Sequence, residues 1–384
     1  MTSVAIGHGG ELSVATPRVL TLVGAAAFVL GLFVSPAGVW PEMLFAVFAL
    51  ACTGLGGALF VALHHVTGAR WGRGVLPIAH AMTAILPFTG VATLAFAFGA
   101  TSLWPWADAA AAAADHELAA RSTWMNVPFV LAREAMAYVV WIGLGARLVR
   151  RSRCWVETGD EGARRAAAGA AALFLVGFAP TFSMATFDLV LSLERHFAST
   201  IFAIYHFAGT FLSAVALISL LAISLEAEGR LSPRVLTQDV LHDLGKLVFA
   251  FAFFWGYIWF CQFMLVWYTN MPEETGYYVL RHAGGWEPLS IVNVLLNWAI
   301  PFVWLLSARM KRNAKLLRLA CVVVVCGRFL DLHLAIVQPA LGAAPALRLW
   351  DVALPAGAAG AFLWSWRRAY ARETAPSTGQ LSRG

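Results

Sequence analysis

The chain has 384 residues, of which 60% are hydrophobic and 12% charged, and its formal net charge is +6. Soluble domains carry about 25% charged residues, so this composition excludes an ordinary water-soluble fold. The positive charge indicates membrane topology and contact with anionic lipid headgroups, and we predict no nucleic-acid partner.

Ten apolar runs are long enough to cross a hydrocarbon core of about 30 Å, which takes about 20 helical residues. None alternates as an outer-membrane barrel strand does, so we predict an all-α integral membrane protein of about ten transmembrane helices. The runs are Val19 to Ser35, Met43 to Val66, Val75 to Ala100, Val127 to Val149, Ala166 to Leu189, Ala198 to Leu225, Gly245 to Tyr268, Ile291 to Ala308, Leu316 to Ile336 and Val352 to Ala369.

These runs predict one membrane domain over residues 19–370, between tails at residues 1–18 and 371–384. The start of the chain lacks a basic region leading into a short apolar core and a cleavage site, so we expect the first helix to be retained. With the amino terminus inside, 21 of the 27 Lys and Arg residues face the cytoplasm. This bias predicts that both termini are cytoplasmic.

Two features predict structure at the outward face. The connection from Asp108 to Arg121 has the composition of a short surface helix. Six tryptophans are placed where an aromatic belt would anchor the chain at the membrane interface. They are Trp40, Trp104, Trp106, Trp124, Trp286 and Trp350.

Ionisable residues inside spanning helices cost about 2.5 to 3.5 kcal/mol on insertion scales, so each one predicts a function or a buried partner. The densest group lies at the outward junction of the fifth and sixth runs and comprises Asp188, Glu194, Arg195, His196, Ser199, Thr200, Tyr205 and His206. Such groups can accept and pass protons near neutral pH. The alternative is a helix corner, in which Asp188 or Glu194 pairs with Arg195 while Ser199 or Thr200 caps the next helix.

A second group is Arg133 and Glu134 in the fourth run. Adjacent helical residues point about 100° apart, so each needs a partner elsewhere. Asp188 or a quinone-type headgroup would serve Arg133, and a buried ion pair between helices is the alternative.

Further polar residues lie in or next to the seventh and ninth runs, and they are distributed over both halves of the predicted bilayer. This distribution is compatible with proton paths. Arg328 and Asp331 are three residues apart and are expected to pair along their helix. The candidates for a proton path are Asp243, Lys246, Gln262, Tyr268, Glu273, Glu274, Asp331 and His333.

Motifs for cofactors are absent from the sequence. The five cysteines have no CxxC or iron-sulfur spacing, and there is no Walker, dinucleotide-binding or HExxH motif. His64 or His65 with His80 satisfies the depth requirement of a haem ligand pair, but histidines at helix ends more often snorkel or cap. We therefore predict no metal or cofactor bound by this chain, and in a redox reaction electrons would leave through a partner subunit.

Three segments resemble one family of respiratory enzymes. They are SLERHFASTIFAIYHFAG at Ser192 to Gly209, HDLGKLVFAFAFFWGYIWFCQFMLVWYTNMPEET at His242 to Thr275, and TGARW at Thr67 to Trp71. They look like the bacterial quinol:cytochrome c oxidoreductase called alternative complex III, and specifically its second large membrane subunit of the NrfD, or polysulfide-reductase, type. The chain departs from the family pattern at Arg195, His206 and Cys261.

The resemblance implies a ten-helix subunit of the bacterial inner membrane, built around paired four-helix bundles and lacking a redox centre of its own. It implies three kinds of partner: a homologous NrfD-like membrane subunit, an iron-sulfur subunit and a multihaem cytochrome c subunit. Quinone or quinol is the implied ligand, and the iron-sulfur clusters and haem c lie in the partners. The resemblance points to functional positions at the outward mouth and along the seventh helix. They are Asp188, Glu194, His196, Ser199 and Thr200 at the mouth, and Asp243, Lys246, Gln262, Tyr268, Glu273 and Glu274 on the helix.

Three other functions fit the sequence. A related NrfD-type molybdoenzyme complex would use the same membrane subunit. A proton-coupled secondary transporter would line its path with the intramembrane charges, and predicts an inverted repeat and Gly- or Pro-interrupted helices. A purely structural anchor for peripheral redox subunits would need none of these charges for turnover.

Overall fold

The computed structural model describes residues 15–342, 345 and 347–374 of the chain. Across these residues all regular structure is helical, which confirms the all-α class. The α-helices are α1 Ala15–Val34, α2 Pro36–Val66, α3 Leu76–Met82, α4 Leu86–Leu94, α5 Ala100–Leu103, α6 Ala109–Ala114, α7 His116–Ala120, α8 Val127–Thr158, α9 Glu161–Leu189, α10 Phe202–Ala227, α11 Gln238–Thr269, α12 Pro272–His282, α13 Glu287–Val294, α14 Ile300–Trp304, α15 Ala308–Arg312, α16 Ala314–Ile336, α17 Gln338–Leu341 and α18 Leu349–Glu373.

Eight helical segments of the described chain are long and apolar enough to cross a membrane. They begin at Thr16, Pro36, Leu76, Val127, Glu161, Phe202, Gln238 and Ala314. The eighth and tenth predicted runs fold as α13 to α14 and as α18, which are not among these eight. The chain is therefore a helical membrane protein, and the count of ten spans stays a prediction. Residues 1–14 and 375–384 of the predicted tails lie outside the described residues.

Several helices extend past the apolar runs because polar residues cap them. The Thr237 side chain accepts a hydrogen bond from the Val240 amide, and α11 begins at Gln238, seven residues before the predicted Gly245. The same helix ends at Asn270, whose φ of 49° is the left-handed conformation that closes many helices. An apolar run in the sequence therefore predicts only the apolar part of such a helix and not its polar ends.

Two of the predicted runs are interrupted. The third run breaks into α3 and α4 around a 3₁₀ turn at Thr83–Ile85, and Pro87 in the first turn of α4 lacks the amide that would continue the ladder. The eighth run contains a π segment at Leu295–Ala299, and Pro301 lies just after it. Neither break was predicted.

The first and last helices pack against each other at glycines. A Cβ on Gly24 would lie 2.7 Å from the Gly357 Cα, and a Cβ on Gly360 would lie 2.6 Å from the Pro17 carbonyl oxygen. As the residue number rises along α1, it falls along the contacting part of α18, so the two helices are antiparallel. The two ends of the described chain therefore lie on the same face of the bundle.

Basic residues assigned to the cytoplasm gather on that face. The Arg18 guanidinium lies 5.9 Å from the Trp364 ring, Arg153 pairs with Glu373, and Arg73 donates to the Val156 carbonyl at 2.7 Å. The grouping is what the predicted orientation requires, although the side of the membrane stays a prediction.

The predicted aromatic belt is wrong for five of its six tryptophans. Trp40, Trp104, Trp106, Trp286 and Trp350 are buried inside the protein, and Trp124 is 49% exposed. Two of the buried indoles donate hydrogen bonds to distant backbone: Trp104 donates to the Leu189 carbonyl at 3.2 Å, and Trp286 to the Gly342 carbonyl at 2.9 Å.

The connection from Asp108 to Arg121, predicted as one surface helix, forms two short helices, α6 and α7. Asp108 caps α6 by accepting hydrogen bonds from Ala110 and Ala111, and Asp115 caps α7 in the same way. The second aspartate starts a new cap, which ends one helix and begins the next.

Candidate functional site

A cavity of about 270 Å³ lies between α10, α11, α12, α13 and α16, and we call it the lateral cavity. Two of its wall residues, Ile291 and Leu295, are 54% and 42% exposed, so it reaches the side surface of the bundle. Most of its wall is apolar or aromatic. Its polar wall residues include Tyr205, Gln262, Tyr277, Tyr278, Arg281, Asn293 and Asp331.

Asp331 is the carboxylate of the lateral cavity, and it is buried. Arg328 pairs with it along α16, as the spacing predicted. Asn293 donates to the Asp331 Oδ1 atom at 3.1 Å, and the Tyr205 hydroxyl donates to the same oxygen. Three donors from three helices therefore hold this carboxylate at the cavity wall.

Arg328 is positioned by α10. Its guanidinium lies 3.3 Å from the His206 Nδ1 atom and passes where a side chain at Gly209 would be. The absence of a Cβ at Gly209 thus makes room for the cation that neutralises Asp331.

The polar face of α13 is shaped by the π segment that follows it. The Asn297 amide, inside the π segment, donates to the Asn293 side-chain oxygen at 2.7 Å. Asn293 is therefore held while its own amide donates to Asp331. Short π segments often occur at functional sites.

Gln262 of α11 gives the cavity an acceptor. Its side chain is buried, and its Oε1 atom accepts no hydrogen bond of normal geometry, although the Tyr278 phenol lies near enough to interact with the amide. A buried polar atom without a partner costs about 1 to 3 kcal/mol, so the cavity favours a ligand that donates a hydrogen bond there.

Two phenols of α12, a helix outside the eight apolar spans, complete the wall. Burial raises the pKa of Tyr277 to about 12. Burial also raises the pKa of Tyr278 far above its ordinary value. Both phenols are therefore protonated near neutral pH and can serve as hydrogen-bond donors.

A second cavity, of about 370 Å³, adjoins the first, and we call it the outer cavity. It shares Tyr277 and Arg281 with the lateral cavity, and its wall also includes Glu194, His196 and Glu273. Arg281 donates to the Glu194 carboxylate at 3.0 Å, and its guanidinium lies 3.4 Å from the Tyr277 ring centre. An ion pair thus stands in the wall between the two cavities.

The alternative of a simple helix corner at Asp188 to Thr200 is not what the structure shows. Glu194 pairs with Arg281, and Arg195 is exposed. Ile201 occupies the N-cap of α10 without a side-chain hydrogen bond, so neither Ser199 nor Thr200 caps this helix. Partners from distant segments have replaced the local ones.

Asp188 pairs instead with Arg133, the partner that the sequence offered for it. The guanidinium donates to both carboxylate oxygens, at 2.7 and 2.9 Å, and lies 4.4 Å from the Trp124 and Phe129 rings. This is the buried interhelical ion pair predicted as an alternative to a quinone headgroup. Glu134 is also buried, and neither of its carboxylate oxygens has a hydrogen-bond partner among the described residues.

The remaining candidates lie apart from both cavities. Lys246 pairs with Asp243 at 2.5 Å on α11, and Tyr268 at the other end of this helix is 82% exposed. Glu274 is half-buried in the first turn of α12, and the His333 Nδ1 atom lies 3.6 Å from a Glu42 carboxylate oxygen.

His196 lies at the rim of the outer cavity. It is exposed, and its ring nitrogens lie 3.5 Å from Asp115 and 3.2 Å from Glu117. The structure therefore brings together Gln262 and Asp331 in one cavity and Glu194, His196 and Glu273 in the next.

The histidines weighed as haem ligands form a hydrogen-bonded bridge. The Nε2 atoms of His65 and His80 lie 2.7 and 2.8 Å from the same Ser152 hydroxyl. Within residues 15–342 and 347–374, no group of three or more His, Cys, Asp or Glu side chains could hold a metal ion.

Sequence reasoning missed several residues of the lateral cavity wall, and it missed Asn297, which binds the wall residue Asn293. Asn293 and Asn297 are four apart in an apolar run, and this spacing could have identified one polar helix face. Tyr277, Tyr278 and Arg281 fall in a connection that sequence polarity assigns to the surface, so their burial could not be read from it.

No protein-family model matches the chain, and no curated protein matches it either. The resemblance of the three sequence segments to alternative complex III therefore stays a prediction.

Proposed function

We propose that the chain is a membrane subunit of a bacterial quinol:cytochrome c oxidoreductase of the alternative complex III type, and that its lateral cavity binds a quinol headgroup. The observation that carries the proposal is a cavity that opens sideways, is walled by aromatic rings and contains a buried acceptor at Gln262 beside the Asp331 network. Mostly apolar cavities with a few convergent polar groups are typical ligand sites.

A quinol matches this wall chemically. Its flat ring fits between aromatic side chains, and its apolar tail can extend past Ile291 and Leu295 along the side of the bundle. One hydroxyl would donate to the Gln262 oxygen and the other to Asp331, while the Tyr278 phenol would donate to a quinol oxygen.

Oxidation of a quinol to a quinone releases two protons and two electrons. Asp331 would accept a proton, because its carboxylate lies in the cavity wall, where the Tyr205, Asn293 and Arg328 donors hold it in position. The adjoining outer cavity, with the Arg281 and Glu194 pair in the shared wall, would then lead protons to the outward face.

Electrons would leave through iron-sulfur and haem c groups of partner subunits, beside a homologous NrfD-like subunit. The same proposal includes ten spans in the bacterial inner membrane, with both termini cytoplasmic. The basic face shared by both ends of the described chain supports this orientation.

Direct binding tests the proposal. The purified full-length chain in nanodiscs would be titrated with a short-tailed quinol under reducing, oxygen-free conditions, comparing wild type with Gln262→Leu. Because the substitution removes one hydrogen bond worth about 1.4 kcal/mol, we expect affinity to fall about tenfold. Tyr268→Phe, on the exposed end of the same helix, is the matched control and should bind as wild type does. Equal affinity for all three proteins would count against the site.

A proton-coupled transporter is the second candidate, and one observation favours it. Two predicted spans are interrupted, at Thr83–Ile85 and at Leu295–Ala299, and such breaks are found at transporter substrate sites. Proton uptake driven by a solute gradient in proteoliposomes of the chain alone would support this reading, and quinone binding at Gln262 would oppose it.

A further inference from the structure

Glu42 of α2 is a fully buried carboxylate that no sequence argument singled out. Neither of its oxygens has a hydrogen-bond partner among the described residues. Two groups face it from other helices: the His333 Nδ1 atom of α16 at 3.6 Å and the Arg348 Nη2 atom before α18 at 3.7 Å. The Asp351 carboxylate also lies close enough to act on Glu42.

Among the described residues, the Arg348 guanidinium is the one permanent cation facing Glu42, and Asp351 already engages it. The Arg348 Nη2 and Nε atoms lie 3.0 and 3.1 Å from the Asp351 Oδ1 atom, and the Arg348 amide donates to Oδ2 at 2.7 Å. Charge-assisted bonds of this kind are the strong ones, so the positive charge of Arg348 is directed at Asp351 and not at Glu42.

The charges of the group then do not balance unless another proton is present. Glu42 and Asp351 would carry two negative charges against the single positive charge of Arg348. An unmatched charge buried in a membrane protein costs several kcal/mol, and a carboxyl or imidazole beside it binds a proton instead.

The surroundings are built for this arrangement. Gly38 lies one helical turn from Glu42, and a Cβ there would be 2.6 Å from the Arg348 Nη1 atom, so glycine lets the guanidinium reach α2. The Phe45 ring meets the His333 ring edge-on with centres 5.9 Å apart. Separations of 3.6 and 3.7 Å are too long for direct hydrogen bonds, so neither group satisfies the Glu42 carboxyl by direct contact.

We infer that Glu42 and His333 form a proton-holding site, in which one exchangeable proton is shared between the buried carboxyl and the imidazole beside the Arg348 and Asp351 ion pair. The inference does not rest on the proposed quinol site, because Glu42 and His333 line neither the lateral nor the outer cavity. Its ligand is a proton, taken up as the pH falls.

Infrared titration of the purified full-length chain tests it. We expect a carbonyl band of a protonated carboxylic acid that disappears as the pH rises and that is missing from Glu42→Gln. Glu134→Gln, which alters another buried carboxyl without a hydrogen-bond partner, is the matched control and should leave that band in place. Glu42→Gln should retain the thermal stability of wild type, because a neutral amide replaces a neutral acid.

His333→Gln separates a shared proton from one held by Glu42 alone. It removes one of the two protonated forms, so the band of Glu42 should titrate at a lower pH than in wild type. The inference is overturned if Glu42→Gln leaves the band unchanged, if that variant unfolds where wild type does not, or if His333→Gln leaves the midpoint in place.

Discussion

Several buried charged side chains in this bundle are neutralised by partners from distant segments of the chain. The Arg133 and Asp188 pair joins residues 55 positions apart, and the Arg281 and Glu194 pair joins residues 87 apart. Because each group would be costly alone in the membrane, these pairs also fix which helices must be neighbours. Buried charge therefore specifies the packing as well as the chemistry.

The Arg133 and Asp188 pair should contribute strongly to the free energy of unfolding. Arg133→Ala leaves a buried carboxylate without its bidentate partner, so we expect the free energy of unfolding in detergent to fall by about 3 to 5 kcal/mol. Arg195→Ala, an exposed arginine of the same charge, should change it by no more than about 0.5 kcal/mol. Similar losses in both variants would show that the pair has no special role in stability.

The sequence predicts that buried charged side chains need partners, but it identifies only some of those partners. The need for partners was predictable from the cost of buried charge, and the Arg328 and Asp331 pair was predictable from helical spacing. The pairing of Glu194 with Arg281 was not, because it depends on how α12 folds back over the bundle. Asp331 and Gln262 were identified singly, and their shared cavity was not.

Close backbone packing joins the first helix, α1, to the last, α18. The contact of Gly24 with Gly357 leaves no space for any side chain, and small residues at such crossings let membrane helices pack closely.

Gly24→Leu should therefore separate α1 from α18, and overpacking of this kind costs about 1 to 3 kcal/mol. Thermal unfolding in detergent is expected to show this loss. Gly143→Leu is the matched control, because a Cβ at Gly143 meets nothing within 4 Å. A variant at Gly24 that is as stable as the control would mean that the two helices do not depend on this contact.

Helix existence was more predictable than helix shape. All ten apolar runs are helical over most of their length, because long apolar stretches leave the backbone no other way to satisfy its hydrogen bonds in lipid. The extension of α8 to Thr158 and the π segment after α13 were not predicted. Both depend on caps and packing partners that hydropathy does not describe.

The whole molecule has a basic face and an opposite face with the outer cavity. Native Cys154 lies exposed near the basic end of α8, and Ala113 lies exposed on α6. If the basic face is cytoplasmic, a membrane-impermeant thiol reagent should label Cys154 in inverted vesicles and not in intact spheroplasts.

A cysteine introduced by Ala113→Cys in a Cys154→Ser background is the control for the opposite side. It should react in spheroplasts and be protected in inverted vesicles. Labelling of Cys154 from the outside would reverse the orientation and place the outer cavity on the cytoplasmic side.

If the lateral cavity binds a quinol headgroup, a photoreactive quinone bound there should attach to the cavity walls. The full-length chain in nanodiscs would be labelled with an azidoquinone, and the labelled peptides identified by mass spectrometry with excess unlabelled quinone as competitor. We expect competed labelling at the cavity walls, near Trp259 to Gln262 of α11 or Tyr277 to Leu295. Competed labelling confined to other helices would contradict it.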